Sequence, residues 1–293
     1  MAFVVCKVLR RHTMNNNFTT ADFLKCKKDG RKITVLTAYD CPTARILDQA
    51  GIDCILVGDS LGMVVLGYED TTKVTMEDII HHIKAVVRGT SRAMVVGDMP
   101  FTSYHTGVHD SVRNAARLVM EGGCRAVKLE GGEDFKEEIR AITRAGIPVM
   151  GHLGYTPQSI NIFGGHKVQG KSIDGARKLV RDALAVQEAG AFAVVLECIP
   201  MKLAAFISQK LSIPTIGIGS GAECDGQVIV IHDAVGLFRD FSPKHVKKYA
   251  NVGDIIEQSA KDYINDVANK LFPATSNSFK IDDEVMDIIR GEF

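Results

Sequence analysis

The feature that most restricts the fold of this chain is a recurring unit: a short apolar run that ends in a polar residue, then an amphipathic stretch. Eight such runs occur: ITVLTAYD (33–40), CILVGDS (54–60), AMVVGDM (93–99), AVKLEGG (126–132), PVMGHLG (148–154), AVVLEC (193–198), PTIGIGSG (214–221) and VIVIHD (228–233). Runs this short, bounded by Gly, Pro, Asp or Ser, read as buried strands. Between them, apolar residues recur at helical spacing. Val112, Ala115, Ala116, Val119 and Met120 make one such face; Ala176, Leu179, Val180, Ala183 and Leu184 make another. Gly122–Gly123 and Gly190 suit left-handed helix ends. Thr75 suits the cap of a helix starting at Met76, with Asp78 near the capping-box position. Strand–helix alternation of this kind builds a parallel sheet with crossover helices. Eight strands predict an α/β fold of the closed (β/α)8 TIM-barrel type, with a doubly wound open sheet as the alternative.

Length and composition agree. The chain has 293 residues, and one barrel commonly takes about 250. Its 35 basic and 35 acidic residues cancel, so there is no electrostatic footprint for nucleic acid or an anionic membrane. The apolar runs fall far short of the roughly 20 residues that span a bilayer. The seven cysteines are scattered and include no C-x-x-C pair. This points to free thiols in a reducing compartment, hence the cytoplasm, and away from a structural zinc site. Residues 1–20 read as a disordered leader; an organelle-targeting segment, or Met14 as the true start, are the alternatives. Residues 21–272 are expected to form a single barrel domain with a C-terminal helical part, and 273–293 a tail. The link over 59–75 is long for a connection of this type and suits a lid.

The strand ends carry the chemistry. In a barrel they all meet at one face, where active sites of such barrels lie. Successive side chains of a strand alternate faces, so Val195 and Glu197 are expected inside, with Lys128 and Glu130, and Asp59 and Asp98 fall on the inward set too. One mouth would then hold Asp59, Ser60, Asp98, Lys128, Glu130, His152 and Glu197. Carboxylates this close need a shared cation or raised pKa values. Lys128 supplies one charge. Oxygen ligands without a His/Cys cluster favour Mg2+ over zinc for the remainder.

Each residue also has a plainer role. A lone strand-end Asp more often caps a helix, and Asp40 and Asp233 are assigned there. Lys128 and Glu130 also fit a simple ion pair, and His152 a packing histidine between glycines. His81 and His82 are assigned to a helix surface. The stretch GIGSGAECDGQ (217–227) fits a phosphate cradle or a tight turn equally well.

Taken together, TAYD, LVGDSLGMVVLGYEDT, GDMPF, AVKLEGG, GHLGYTPQSINIFGGHKVQG, VLECIP and IPTIGIGSGAECDGQVIVIHD resemble the ketopantoate hydroxymethyltransferase family, from about Phe18 to about Tyr263. The resemblance implies a barrel of the phosphoenolpyruvate/pyruvate-binding superfamily, assembled as a homo-oligomer, typically a decamer. It implies transfer of a hydroxymethyl group from 5,10-methylenetetrahydrofolate to 3-methyl-2-oxobutanoate, giving ketopantoate for pantothenate and coenzyme A synthesis. It also assigns roles: Asp59 and Asp98 to Mg2+, with Glu130 in or near its shell; Asp59, Ser60, Asp98 and Lys128 to the keto acid; Glu197 as the base; His152 in support. The folate-binding residues are not localised by any motif. The alternatives are another Mg-dependent 2-oxo acid lyase or mutase of the same superfamily, and a non-catalytic ligand-binding barrel.

Overall fold

In the computed structural model, which describes residues 17–239 and 243–293, the alternation closes into a barrel of eight parallel strands in sequential order. These are β1 (Ile33–Thr37), β2 (Cys54–Val57), β3 (Met94–Asp98), β4 (Ala126–Glu130), β5 (Val149–Gly154), β6 (Ala193–Glu197), β7 (Thr215–Ile218) and β8 (Gly226–Ile229). β8 returns to β1 over Ile33↔Gly226 to Leu36↔Ile229. The longer helices are α1 (Thr20–Asp29), α2 (Cys41–Ala50), α3 (Met76–Gly89), α4 (Val108–Arg117), α5 (Lys136–Arg144), α6 (Ile173–Glu188), α7 (Met201–Lys210), α8 (Val252–Ala268) and α9 (Asp283–Glu292). The capping box of Thr75 and Asp78 starts α3 as expected.

The barrel interior is apolar in its lower part. Val35, Leu56, Met94, Val96, Ala126, Met150, Val195 and Ile216 belong to one buried cluster. Helix α1 plugs the end where the strands begin. Thr19 caps it through a capping box with Asp22, and the helix buries Phe23 and Cys26. Phe23 meets Phe18 and Phe192 edge-on, with ring centroids 5.3 and 5.2 Å apart. Lys27 ties the plug to Asp225 at 2.7 Å. Phe18, Thr19 and Thr20, within the leader expected over 1–20, thus belong to the fold; residues 1–16 lie outside the described residues.

Three expectations need correction. The helix faces are rotated: Ser111, Ala115, Leu118 and Gly122 are buried where Met120 is 83% exposed. The buried set keeps helical spacing from Ser111 on, and a π turn over Leu118–Gly122 ends the helix. On α6 the buried face is Leu179, Asp182, Ala183 and Val186, leaving Leu184 outside. Asp182 can be buried because it accepts from Glu133 N and pairs with Lys178. The last strand starts two residues before the expected position and ends at Ile229, and Ile231–Ala234 is a helical turn. The backbone of β1 comes so close there that a Cβ on Gly226 would lie 2.5 Å from Ile33 O. The glycine-rich stretch before it is a tight return from β7 to β8, with Gly219 and Gly221 at positive φ and Ser220 Oγ donating to Leu196 O at 2.7 Å.

The chain divides into two compact units. The barrel unit ends at His232 and takes in Pro243–Val246. The C-terminal unit, which contains α8 and α9, begins at Asp233. Residues up to 272 were expected within the barrel domain. Ile255, Ile256 and Ile264 of α8 stay exposed, so this helix hides little of its apolar stripe.

Candidate active site

The strand ends converge as parity requires. Val96, Ala126, Met150 and Val195 point into the barrel, so Asp98, Lys128, Glu130, His152 and Glu197, two or four residues further on, share that face. Register sets Asp98 beside Lys128 and Glu130 beside His152. Asp59 reaches the same place by another route. Cys54 and Leu56 are the interior residues of β2, so parity points Gly58 inward, not Asp59. β2 ends at Val57, and the turn after it brings Asp59 round. Its backbone N–H then donates to Asp98 Oδ2 at 3.0 Å. A Cβ on Gly58 would sit 2.9 Å from Ser60 Oγ, so the glycine makes room for the turn.

The contacts form a continuous polar net. Lys128 Nζ lies 2.7 Å from Asp98 Oδ1 and 3.4 Å from His152 Nδ1. His152 stands between two carboxylates, with Nδ1 3.3 Å from Glu130 Oε1 and Nε2 3.2 Å from Glu197 Oε2. Asp98 Oδ1, Glu130 Oε1 and His152 Nε2 are within ion-pair distance of these neighbours but off the line of a hydrogen bond. Glu197 is the most open member of this net, its side chain 16% exposed against 4% for His152. The Ser60 hydroxyl lies 2.8 Å from Tyr39 OH.

Burial governs the charges. It pushes Asp59 well above the usual carboxylate range, and the Asp98 and Glu130 charges add to the effect. Burial alone would lower Lys128, but Asp98, Asp59 and Glu130 outweigh it and keep the ammonium charged. For His152, burial and Lys128 act to lower the pKa, while the Glu130 and Glu197 carboxylates win and raise it to about 9.

The donor set suits a hard cation. Glu130 Oε1 is buried without a hydrogen-bond partner among the described residues, Asp98 Oδ1 faces the Lys128 ammonium at 2.7 Å, and Asp59 resists ionising without added positive charge. Among the described residues no group of three or more His, Cys, Asp or Glu side chains is placed to hold a metal ion together. Mg2+ is usually held by only one or two carboxylates, with water or substrate oxygens completing its shell.

Sequence reasoning missed four residues. Gln158 and Tyr104 lie behind the carboxylates: Gln158 Nε2 donates to Asp59 Oδ2 at 2.8 Å, and Tyr104 OH donates to Gln158 Oε1 at 2.7 Å. Burial and the Glu130 charge raise the Tyr104 pKa, so its O–H remains a donor. Tyr39 supports Ser60, and His82, assigned to a surface, meets Tyr39 O at 2.6 Å through Nδ1. The signal for Gln158 was its place in TPQS, directly after the polar end of β5. Asp40 caps α2 as expected.

Comparison with known proteins adds an independent line. Residues 17–275 match the profile of the family described as ketopantoate hydroxymethyltransferase. A 3-methyl-2-oxobutanoate hydroxymethyltransferase of Acetivibrio thermocellus is 71% identical over 274 residues, covering 94% of this chain and 97% of the relative. One of Enterococcus faecalis is 56% identical over 269 residues, covering 92% and 98%. Among solved structures, 2,3-dimethylmalate lyase, a member of the PEP mutase/isocitrate lyase superfamily, superposes with a TM-score of 0.56 at 16% identity, covering 94% of this chain and 99% of the other. Phosphonopyruvate hydrolase superposes with a TM-score of 0.55 at 15% identity, covering 93% and 95%. At such identities the likeness extends to the barrel fold alone.

Proposed function

This chain belongs to the ketopantoate hydroxymethyltransferase family, and from that premise we propose how its mouth transfers a hydroxymethyl group to 3-methyl-2-oxobutanoate, with 5,10-methylenetetrahydrofolate as the one-carbon donor. The observation that carries the mechanism is the placement of Glu197 at the open edge of a buried acid–lysine–histidine net. The keto acid has one hydrogen on C3. Its removal leaves an enolate, whose C3 bonds to the one-carbon unit and becomes quaternary; both C–N bonds of the folate methylene break, water supplies the hydroxyl oxygen, and the C3 proton and one proton of water go to the two nitrogens of the departing tetrahydrofolate.

Glu197 is positioned to take the C3 proton, and His152 holds its carboxylate from behind. Lys128, kept charged by its acidic neighbours, offers positive charge to the oxygen on which the electrons settle. Ser60, backed by Tyr39, orients the keto acid. Asp59 and Asp98, with Glu130 in or near the shell, would hold Mg2+. When bound, Mg2+ supplies Lewis-acid stabilisation of the oxygen that becomes negative. The remaining assignments from the resemblance, a cytoplasmic homo-oligomer and specifically a decamer, are part of the same proposal. Among the described residues no helix is long and apolar enough to cross a membrane. Exposed Ile173, Met201 and Phe206 on the helix ring leave apolar surface for self-association, which sedimentation analysis would measure.

The direct test is turnover of 3-methyl-2-oxobutanoate with methylenetetrahydrofolate and Mg2+. Ketopantoate formation that depends on both folate and metal is expected. Cleavage or rearrangement of a 2-oxo acid without folate would instead favour a lyase or mutase.

A further inference from the structure

Three of the four carboxylates in the mouth, Asp59, Asp98 and Glu130, already have one oxygen committed to an N–H donor. Asp98 Oδ2 accepts from the Asp59 backbone at 3.0 Å. Asp59 Oδ2 accepts from Gln158 Nε2 at 2.8 Å. Glu130 Oε2 accepts from the Gln158 backbone N–H at 3.1 Å. One residue thus pins two of the three. Its amide is itself fixed at both ends, because Oε1 accepts from Tyr104 OH at 2.7 Å and Nε2 also donates to Met99 O at 3.0 Å. Gln158 is buried and lies in a short turn, Pro157–Ser159, just beyond β5.

A carboxylate with one oxygen held this way is not free to turn and grip a cation with both. That matters for cation choice. Mg2+ requires nearly octahedral geometry and is content with single carboxylate oxygens and water, whereas Ca2+ takes about 6 to 8 oxygens and often grips a carboxylate by both. We propose that the Gln158 side chain is a positioning group that confines Asp59 to one-oxygen ligation and so sets the preference of the site for a small octahedral cation over Ca2+. The inference rests on the reading that these carboxylates hold a divalent cation.

The test uses the full chain and Mn2+ as the spectroscopic probe. Mn2+ binding is followed by EPR in the wild type, Gln158→Met, Tyr104→Phe and Asp59→Asn, with Mg2+ or Ca2+ as competitor. In the wild type, Mg2+ is expected to displace Mn2+ far more readily than Ca2+ does. In Gln158→Met, Mg2+ affinity should fall by about tenfold or more. Ca2+ should lose less, so the Mg2+/Ca2+ ratio drops by about the same factor. A folded Gln158→Met protein with the wild-type ratio overturns the proposal. Should circular dichroism find that variant unfolded, Tyr104→Phe is read in its place, since it frees the Gln158 amide to turn; an unchanged ratio there overturns the proposal equally. The underlying reading fails separately, if Mn2+ binds the wild type at no site that Asp59→Asn removes.

Discussion

Asp59 shows the tension between stability and chemistry in a single residue. It is buried beside two other carboxylates, which hold its pKa well above the ordinary range. A carboxyl whose folded pKa exceeds its unfolded value stabilises the fold while protonated. That contribution is present at low pH and is lost as pH rises from the unfolded value, about 3.9, through the raised one. At neutral pH, ionised Asp59 therefore costs stability unless a cation is bound. Asp59→Asn keeps an oxygen for the Gln158 donor and removes the charge. In EDTA at neutral pH this variant is expected to be more stable than the wild type, by on the order of 1 kcal/mol, with the gap closing as pH falls. Mg2+ should raise the melting temperature of the wild type and leave the variant unmoved. Thermal unfolding across pH, with and without Mg2+, measures both effects.

At the scale of elements, the site depends on how β5 and β6 end together. Gly154 closes β5 at φ +97°, and a Cβ there would lie 2.2 Å from Glu197 O. That carbonyl accepts the Tyr155 N–H at 2.8 Å, so the contact sets the height of the base. Gly154→Ala is expected to cost about 1–3 kcal/mol in strain and to reduce kcat more than it raises KM, as calorimetry and steady-state kinetics would show. This level also separates what sequence could reveal from what it could not. The inward set Asp98, Lys128, Glu130, His152 and Glu197 was readable, because a strict two-residue period runs straight through each strand end. Asp59 was placed correctly for the wrong reason, since its strand stops before it and a turn does the work. The face of α6 was hidden by a buried Asp182, whose pairing with Lys178 is local but whose second donor, the Glu133 N–H, is distant in sequence. Gln158 lies in a turn with no periodicity, and its partners Asp59, Met99 and Tyr104 meet it only in the closed barrel.

At the scale of the barrel unit, the two ends of the barrel divide the labour. The end where strands begin is sealed by α1 with an aromatic cluster; the end where they finish holds the polar net. Stability and chemistry can therefore be changed separately. Phe23→Ala, at a fully buried site, is expected to destabilise by about 3–5 kcal/mol. At a temperature where the variant is folded, its kcat should stay near the wild-type value. A large fall in kcat in the folded protein would mean that the plug also shapes the mouth. The central claim is that this mouth makes an enolate with Glu197 as its base. The most direct measurement is NMR of C3 deuteration of 3-methyl-2-oxobutanoate in D2O with Mg2+ and no folate. Exchange well above background in the wild type, reduced by about 100-fold or more in Glu197→Gln, is the predicted result; no exchange in the wild type, or exchange undiminished in folded Glu197→Gln, would contradict it.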